Sequence, residues 1–188
     1  MTAAVHIRRL TGADAAPFRE LRLEALRDHP DAFRSSWEED QERSLDHWRD
    51  FLDSQFVVGG GLGPDLLQGM ATVMLDSRLK TRHRGVLGSV FVRSAARRTG
   101  LSVALIEAVI TEARANVEDL SLVVSSHNLP AIRLYRSLGF EERWTETRSL
   151  KVGDRYFDET TMGMSLWSLH SSKSSPIGRG RGPAKLGR

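Results

Sequence analysis

"ARRTGLSVALIEAVI", residues 96–110, stands directly behind "VLGSVFV", residues 86–92. The earlier stretch is apolar, partly β-branched and short, as a strand is. The later one is an arginine pair, then Thr99-Gly100-Leu101-Ser102, then a long apolar run. A strand, a basic turn with glycine, and a helix are thus predicted in sequence. A helix start offers unpaired N–H groups and the positive end of the helix dipole. With small residues and arginines beside it, such a turn suits an anion, and phosphate in particular. On its own the turn is weak evidence, since short glycine motifs often match by chance and it reads more readily as a surface loop with solvated arginines. No Gly-x-x-x-x-Gly-Lys-Ser/Thr or Gly-x-Gly-x-x-Gly accompanies it, which argues against a P-loop and a dinucleotide fold.

Working outward, "VHIRRL" (5–10) predicts a strand, and Thr11 with Asp14 a helix start. Phe18, Leu21, Ala25 and Leu26 mark that helix's apolar face, and Pro30 ends it. The polar stretch 35–53 predicts one second helix, with Leu45, Trp48 and Leu52 on one side. "QFVVGG" (55–60), "LLQGMATVML" (66–75) and "RGVLGSVFV" (84–92) predict three strands, with a bulge or close backbone approach at Gly88. The motif helix spans about 100–116, and "LSLVVSS" (120–126) is a buried strand. "NLPAIRLYRSLGF" (128–140) is a helix with Ala131, Leu134 and Leu138 on one face and Gly139 as its C′ cap. Two final strands flank a "GDRYFD" turn at 153–158. The predicted order is β-α-α-β-β-β-α-β-α-β-β, one mixed α/β domain over residues 1–169.

Composition narrows the classes. At 40% hydrophobic and 27% charged residues, the chain matches a globular protein. With no cysteine, disulfides, thiolate metal sites and a cysteine nucleophile are excluded. No run reaches the ~18 apolar residues of a membrane helix, and residues 1–10 lack a signal-peptide core. A cytoplasmic location, with no membrane partner and no metal, is the expectation. The pI of 9.7 suggests nucleic acid. Yet five of the 27 basic residues and none of the 24 acidic ones lie in the last 18 positions. The rest is slightly acidic. Residues 170–188 are therefore expected to be a basic, disordered tail, capable at most of weak nucleic-acid contact.

Two motifs in order carry a family resemblance. Arg97-Arg98-Thr99-Gly100-Leu101-Ser102 follows a strand ending in Val, and Asn128, Ala131, Tyr135, Gly139 and Phe140 follow the buried strand. Together they resemble the GNAT superfamily of acetyl-CoA-dependent N-acetyltransferases, over about residues 5–169. The resemblance implies a mostly antiparallel central sheet flanked by helices, with a splay between the motif strand and the next one. It implies acetyl-CoA as cosubstrate, its pyrophosphate on the amides of residues 97–102 and its pantetheine along Val90, Phe91 and Val92. Asn128 reads both as an N-cap and as a cofactor contact. Tyr135 reads as a packed helix residue, and through the resemblance as the acid that protonates the leaving thiolate. Ser102 and Arg98 depart from the small residues usual at their places.

For the base, Glu38 is the choice, with Glu39, His83 and water relays as alternatives. Residues 33–39 and the turn near Tyr156, with Trp37, are expected to line the amine pocket. The acceptor would be a primary amine of a small molecule or a protein N-terminus, and a homodimer is compatible with this reading. Two other classes stay open: a non-catalytic acyl-CoA-binding module, and a nucleic-acid-associated protein acting through the tail.

Overall fold

The computed structural model describes residues 4–167. The predicted tail therefore lies outside the described residues. The chain builds one seven-stranded sheet in the order β1-β2-β3-β4-β5-β7-β6. Its strands are β1 (His6–Arg9), β2 (Phe56–Gly61), β3 (Gly69–Leu75), β4 (Arg84–Val92), β5 (Asp119–Ser125), β6 (Glu141–Val152) and β7 (Arg155–Ser165). Every neighbouring pair is antiparallel except β4 and β5.

The helices are α1 (Ala15–Asp28), α2 (Trp37–Gln41), α3 (Leu45–Ser54), α4 (Leu101–Asn116) and α5 (Leu129–Ser137). Two apolar clusters result. One holds α4 and α5 against the sheet through Leu101, Leu105, Ile106, Val109, Leu120 and Ile132. The other packs α1 and α3 through Phe18, Leu21, Trp48 and Leu52, together with Val57, Met70 and Phe91 of the sheet.

The single helix expected over 35–53 is two. Ser36 caps α2, accepting from the Glu39 amide at 3.2 Å, while Glu39 reaches back to the Ser36 amide at 3.0 Å. Ser44 caps α3, accepting from the His47 amide at 3.2 Å. Each serine offers the backbone a fresh start, so the chain breaks between them. Leu45, at the first position of α3, is exposed, whereas Trp48 and Leu52 are buried. On α5 the buried residues are Ile132 and Tyr135, with Ala131, Leu134 and Leu138 half-buried at their sides. The last hairpin turns at Gly153-Asp154 alone, Gly153 having φ +57°, so Tyr156 and Phe157 belong to β7.

What positions the site is the middle of the sheet. In the β3–β4 ladder, Met70 faces Phe91 but Thr72 faces Gly88. One residue of β3 thus opposes Ser89 and Val90, a β-bulge next to the glycine where it was expected. Ser89 has φ +52°, a left-handed backbone uncommon outside glycine. Its hydroxyl accepts from Arg22 at 3.3 Å. Arg22 in turn is held by buried Asp40, Nε to Oδ2 2.9 Å, and Asp40 also accepts from Arg43 at 2.9 Å. On the other side of β4, pairing with β5 covers only Arg84–Val86 against Asp119–Ser121. Beyond that the strands diverge.

Asp40→Ala leaves buried Arg22 without its counter-charge, and a buried pair broken this way costs about 3–5 kcal/mol. Asp46→Ala removes only the exposed Asp46–Arg49 pair, where at most about 1 kcal/mol is at stake. Urea unfolding of the two variants should separate them clearly.

Candidate active site

The divergence of β4 and β5 leaves the β4 edge from Leu87 to Val92 without a strand on its β5 side. Backbone N–H and C=O groups along such an edge need partners, and an extended ligand can supply them. Val90, Phe91 and Val92 all lie on this edge, ahead of the β4–α4 turn.

At the turn, Arg97 folds back: its Nε donates to the Val92 carbonyl at 3.0 Å, and its guanidinium lies 3.0 Å from His29 Nε2. Arg98 takes a left-handed conformation, φ +62°, and its side chain is exposed. Glycine suits that position because an L side chain is strained there. Thr99 donates to the Ala96 carbonyl at 2.7 Å, closing the loop. Gly100 caps α4 with φ +92°, and nothing stands within 4 Å of where a Cβ would be. Among the described residues, the N–H groups of Arg98, Gly100, Ser102 and Val103 donate to no other group of the chain. This is an open, positively polarised helix start, the arrangement that holds phosphate.

Asn128 caps α5, its Oδ1 accepting from the Ala131 amide at 3.2 Å. About two helical turns later, Tyr135 is 8% exposed and meets Phe140 edge-on at 5.9 Å. Its hydroxyl makes no hydrogen bond among the described residues. Burial pushes the phenol well above its ordinary value of 10, so it keeps its proton at neutral pH.

On the helical side of the bulge lies a cavity of about 530 Å³. Phe18, Phe33, Trp48 and Phe51 supply aromatic wall, and Ser89 and Val123 line it from the two diverging strands. Its charged lining is Arg22, Arg34, Arg43, Asp40 and Glu159. Glu159 of β7 is buried and accepts from Arg34 at 2.8 Å and Ser149 at 2.6 Å. It stands opposite Ser125, the last residue of β5. Of the predicted pocket segment 33–39, Phe33, Arg34 and Ser35 line the cavity, and Trp37 does not. Glu38 is exposed on α2 and outside the lining, because the Ser36–Glu39 cap sets that turn with Glu38 outward. His83 sits at the paired end of β4, where its carbonyl accepts from Glu118 and Asp119, away from the divergence. Tyr156 lies under Arg148, 3.8 Å from guanidinium to ring, not in the cavity.

Arg22, Asp40, Arg43 and Glu159 went unrecognised in the sequence. Arg22 left one signal: a charge at position i+4 from Phe18, inside an apolar helical stripe.

A strap, residues 29–33, joins the two sides. His29 contacts Arg97 of the turn, and Asp31 Oδ2 meets His127 Nε2 at 2.9 Å, beside Asn128. The family model described as FR47-like protein, a GNAT-related family, matches residues 62–149, which include the bulge, the turn and α5. No curated protein matches the chain significantly. Solved structures do. A putative acetyltransferase from Salmonella typhimurium, solved with its cofactor acetyl-CoA, superposes with TM-score 0.77 at 23% identity over 88% of this chain and 95% of that one. For a ribosomal-protein-alanine N-acetyltransferase from Brucella melitensis the values are 0.72 and 26%, over 85% and 99%. For a GNAT-superfamily phosphinothricin acetyltransferase from Sinorhizobium meliloti, in complex with acetyl-CoA, they are 0.74 and 19%, over 88% and 89%.

The chain has the GNAT fold. The sheet order, the parallel pair that opens after three registers and the glycine-capped α4 are the parts of that fold built here. Among the described residues no cluster of three metal-ligating side chains occurs, and no helix is long and apolar enough to cross a membrane.

The strap's ion contact has a pH signature. The hydrogen bond to His127 holds the Asp31 carboxyl below its ordinary value of 3.8. A depressed pKa stabilises the fold above that ordinary value, and the contribution disappears as pH falls through the lower folded-state value. Asp31→Asn should therefore lose less melting temperature than the parent between pH 5 and pH 3, in thermal melts across that window.

Proposed function

We propose that this protein is an N-acetyltransferase that moves an acetyl group from acetyl-CoA to a primary amine by direct attack in a ternary complex. The observation that carries the reading is the open β4 edge running into a helix start where, among the described residues, the amides of Arg98, Gly100, Ser102 and Val103 have no partner. An extended pantetheine suits the edge from Val90 to Val92, and a pyrophosphate suits the amides from Arg98 to Val103. Arg97, Arg98, Thr99, Gly100, Leu101 and Ser102 form this second part. Arg98 adds a free guanidinium, whereas Arg97 acts mainly by bracing the turn through Val92 and His29. Asn128 orients α5 by its cap.

In the reaction, the amine nitrogen attacks the thioester carbonyl carbon. An N–H of the β4 edge stabilises the oxygen as it gains charge. The C–S bond then breaks, and the thiolate takes the Tyr135 proton. The amine's proton passes to a carboxylate. Glu159 is the base of this reading in place of Glu38, because it is buried on the cavity wall and stands at the end of β5. The non-catalytic alternative has no specific observation in its favour. A role through the tail rests on residues outside those described.

Two measurements test the reading. Acetyl-CoA at 100 times its Kd should stabilise the domain by about 2.7 kcal/mol, visible as a raised melting temperature. Ser102→Glu should remove that shift while leaving the unliganded domain at least as stable, since a carboxylate in the first turn favours the helix and repels the pyrophosphate. An unaltered shift in this variant would move the anion elsewhere. Gly100 is a poorer target, because any side chain there is strained by the left-handed backbone.

Tyr135→Phe keeps the ring against Phe140 and deletes the proton. Fold and acetyl-CoA affinity should persist, and single-turnover transfer should slow by about 10²–10⁴. Parental single-turnover rates would return Tyr135 to a packing role.

A further inference from the structure

We infer that the acceptor is a small amine bearing a carboxylate, and that Arg43 reads the carboxylate in the cavity that Glu159 also lines. The inference rests on the acetyltransferase reading above. At about 530 Å³ the cavity is of a size for one small molecule rather than a folded partner. Its charges do not balance. Arg34 and Glu159 form one matched pair at 2.8 Å. On α2, Asp40 alone serves both Arg22 and Arg43, each at 2.9 Å. Three guanidiniums against two carboxylates leave one positive charge uncompensated between aromatic walls. A low-dielectric wall strengthens that charge's effect on whatever enters. It opposes a purely cationic amine such as a polyamine and favours one with an anion of its own.

The geometry says which guanidinium is free to act. Arg22 is almost fully buried and divides its donors between Asp40 and Ser89. Arg43 has a side chain 43% exposed, with its Nε on Asp40 and one terminal nitrogen 3.1 Å from His47 Nε2. Its other terminal nitrogen makes no hydrogen bond among the described residues. Beside it, Trp48 lines the same cavity and its buried Nε1–H has no acceptor. Buried donors without partners are rare in folded proteins, and a ligand acceptor is one remedy. On β7, Glu159 carries negative charge opposite Ser125, the last residue of β5. A cavity lined by a buried carboxylate on β7 and by a guanidinium with a spare donor beyond α2 matches a zwitterion. The ammonium goes to Glu159 and the carboxylate to Arg43.

The test uses the full chain with acetyl-CoA and matched acceptors. L-Phenylalanine, L-leucine and L-methionine are each compared with their amide and their decarboxylated amine, with CoA release as the readout. The acids should exceed their amides and amines at least tenfold in kcat/KM, mostly through KM. Arg43→Met should erase that preference, and Arg43→Lys should retain part of it. In parallel, N-acetyl-L-phenylalanine and N-acetylphenethylamine are titrated calorimetrically into the CoA-loaded protein, and only the acid should bind well. Equal or better use of the amides, or an unchanged preference in Arg43→Met, would overturn the inference. So would a protein that acetyl-CoA stabilises but that neither turns over nor binds any carboxylate-bearing member of either series. Should Arg43→Met fail to fold, Arg43→Lys and the parent's own acid-to-amide ratio still decide. Absence of both an acetyl-CoA melting shift and CoA release from every amine would sink the acetyltransferase reading itself, a separate result.

Discussion

The bulge at Ser89–Val90 is the constraint on which the rest of the site depends. It places two residues of β4 against one of β3, bends the strand and raises its twist. On its approach to the bulge β4 already leaves β5, and a parallel pair that begins in register at Arg84 ends at Val86, three residues before Ser89. A left-handed Ser89 is not the backbone's own preference. It is held from outside the sheet, by Arg22 on α1, and Arg22 is held by Asp40 on α2. The opening between strands is thus tied to a buried ion pair two elements away. One divergence then serves two surfaces: an unpartnered strand edge leading to the α4 turn, and a cavity under α1 and α3.

Those surfaces owe their positive potential to different sources. At the α4 start, the positive potential comes from backbone amides and the aligned peptide dipoles, so small residues and open space matter more than charged side chains. Gly100 provides both, and Arg97 is spent on bracing the turn. In the cavity the potential comes from guanidiniums on three separate segments, which Asp40 and Glu159 neutralise incompletely. The chain's overall pI of 9.7 bears on neither.

This division explains what could be read from the sequence. The turn residues 97–102 and the cap at Asn128 are local: their chemistry lies within a few positions of one strand and one helix. Strand and helix periods therefore located them, along with the expected bulge beside Gly88. The break between α2 and α3 was lost because two serine caps inside a polar stretch look like ordinary surface. The cavity was lost for a deeper reason. Arg22, Asp40, Arg43, Ser89, Val123 and Glu159 come from α1, α2, the α2–α3 connection and three strands, and only the folded sheet brings them together. Singly each reads as an unremarkable polar or aliphatic residue, except Arg22 in its apolar stripe. Glu38 shows the converse error. It has the right chemistry in the right segment, but one residue's rotation on a capped helical turn puts it on the outer face.

The strap at residues 29–33 connects the two surfaces. Pro30 stops α1 and starts a short 3₁₀ turn, so the chain leaves the helix at a fixed angle rather than fraying. His29 then meets Arg97 and the ring of Phe91 on the β4 side, and Asp31 meets His127 on the β5 side. Phe33, the residue that follows the turn, lies under the Arg22 guanidinium at 5.2 Å and closes the cavity wall. A five-residue segment therefore touches both diverging strands or their extensions, and also the arginine that pins the bulge. Its contacts are partly exposed ion and ring contacts, each weak alone. They act together because the proline and the short 3₁₀ turn leave the segment few other conformations. Shifting it would disturb the α4 turn and the cavity wall at once, which makes the strap the mechanical link between the two surfaces.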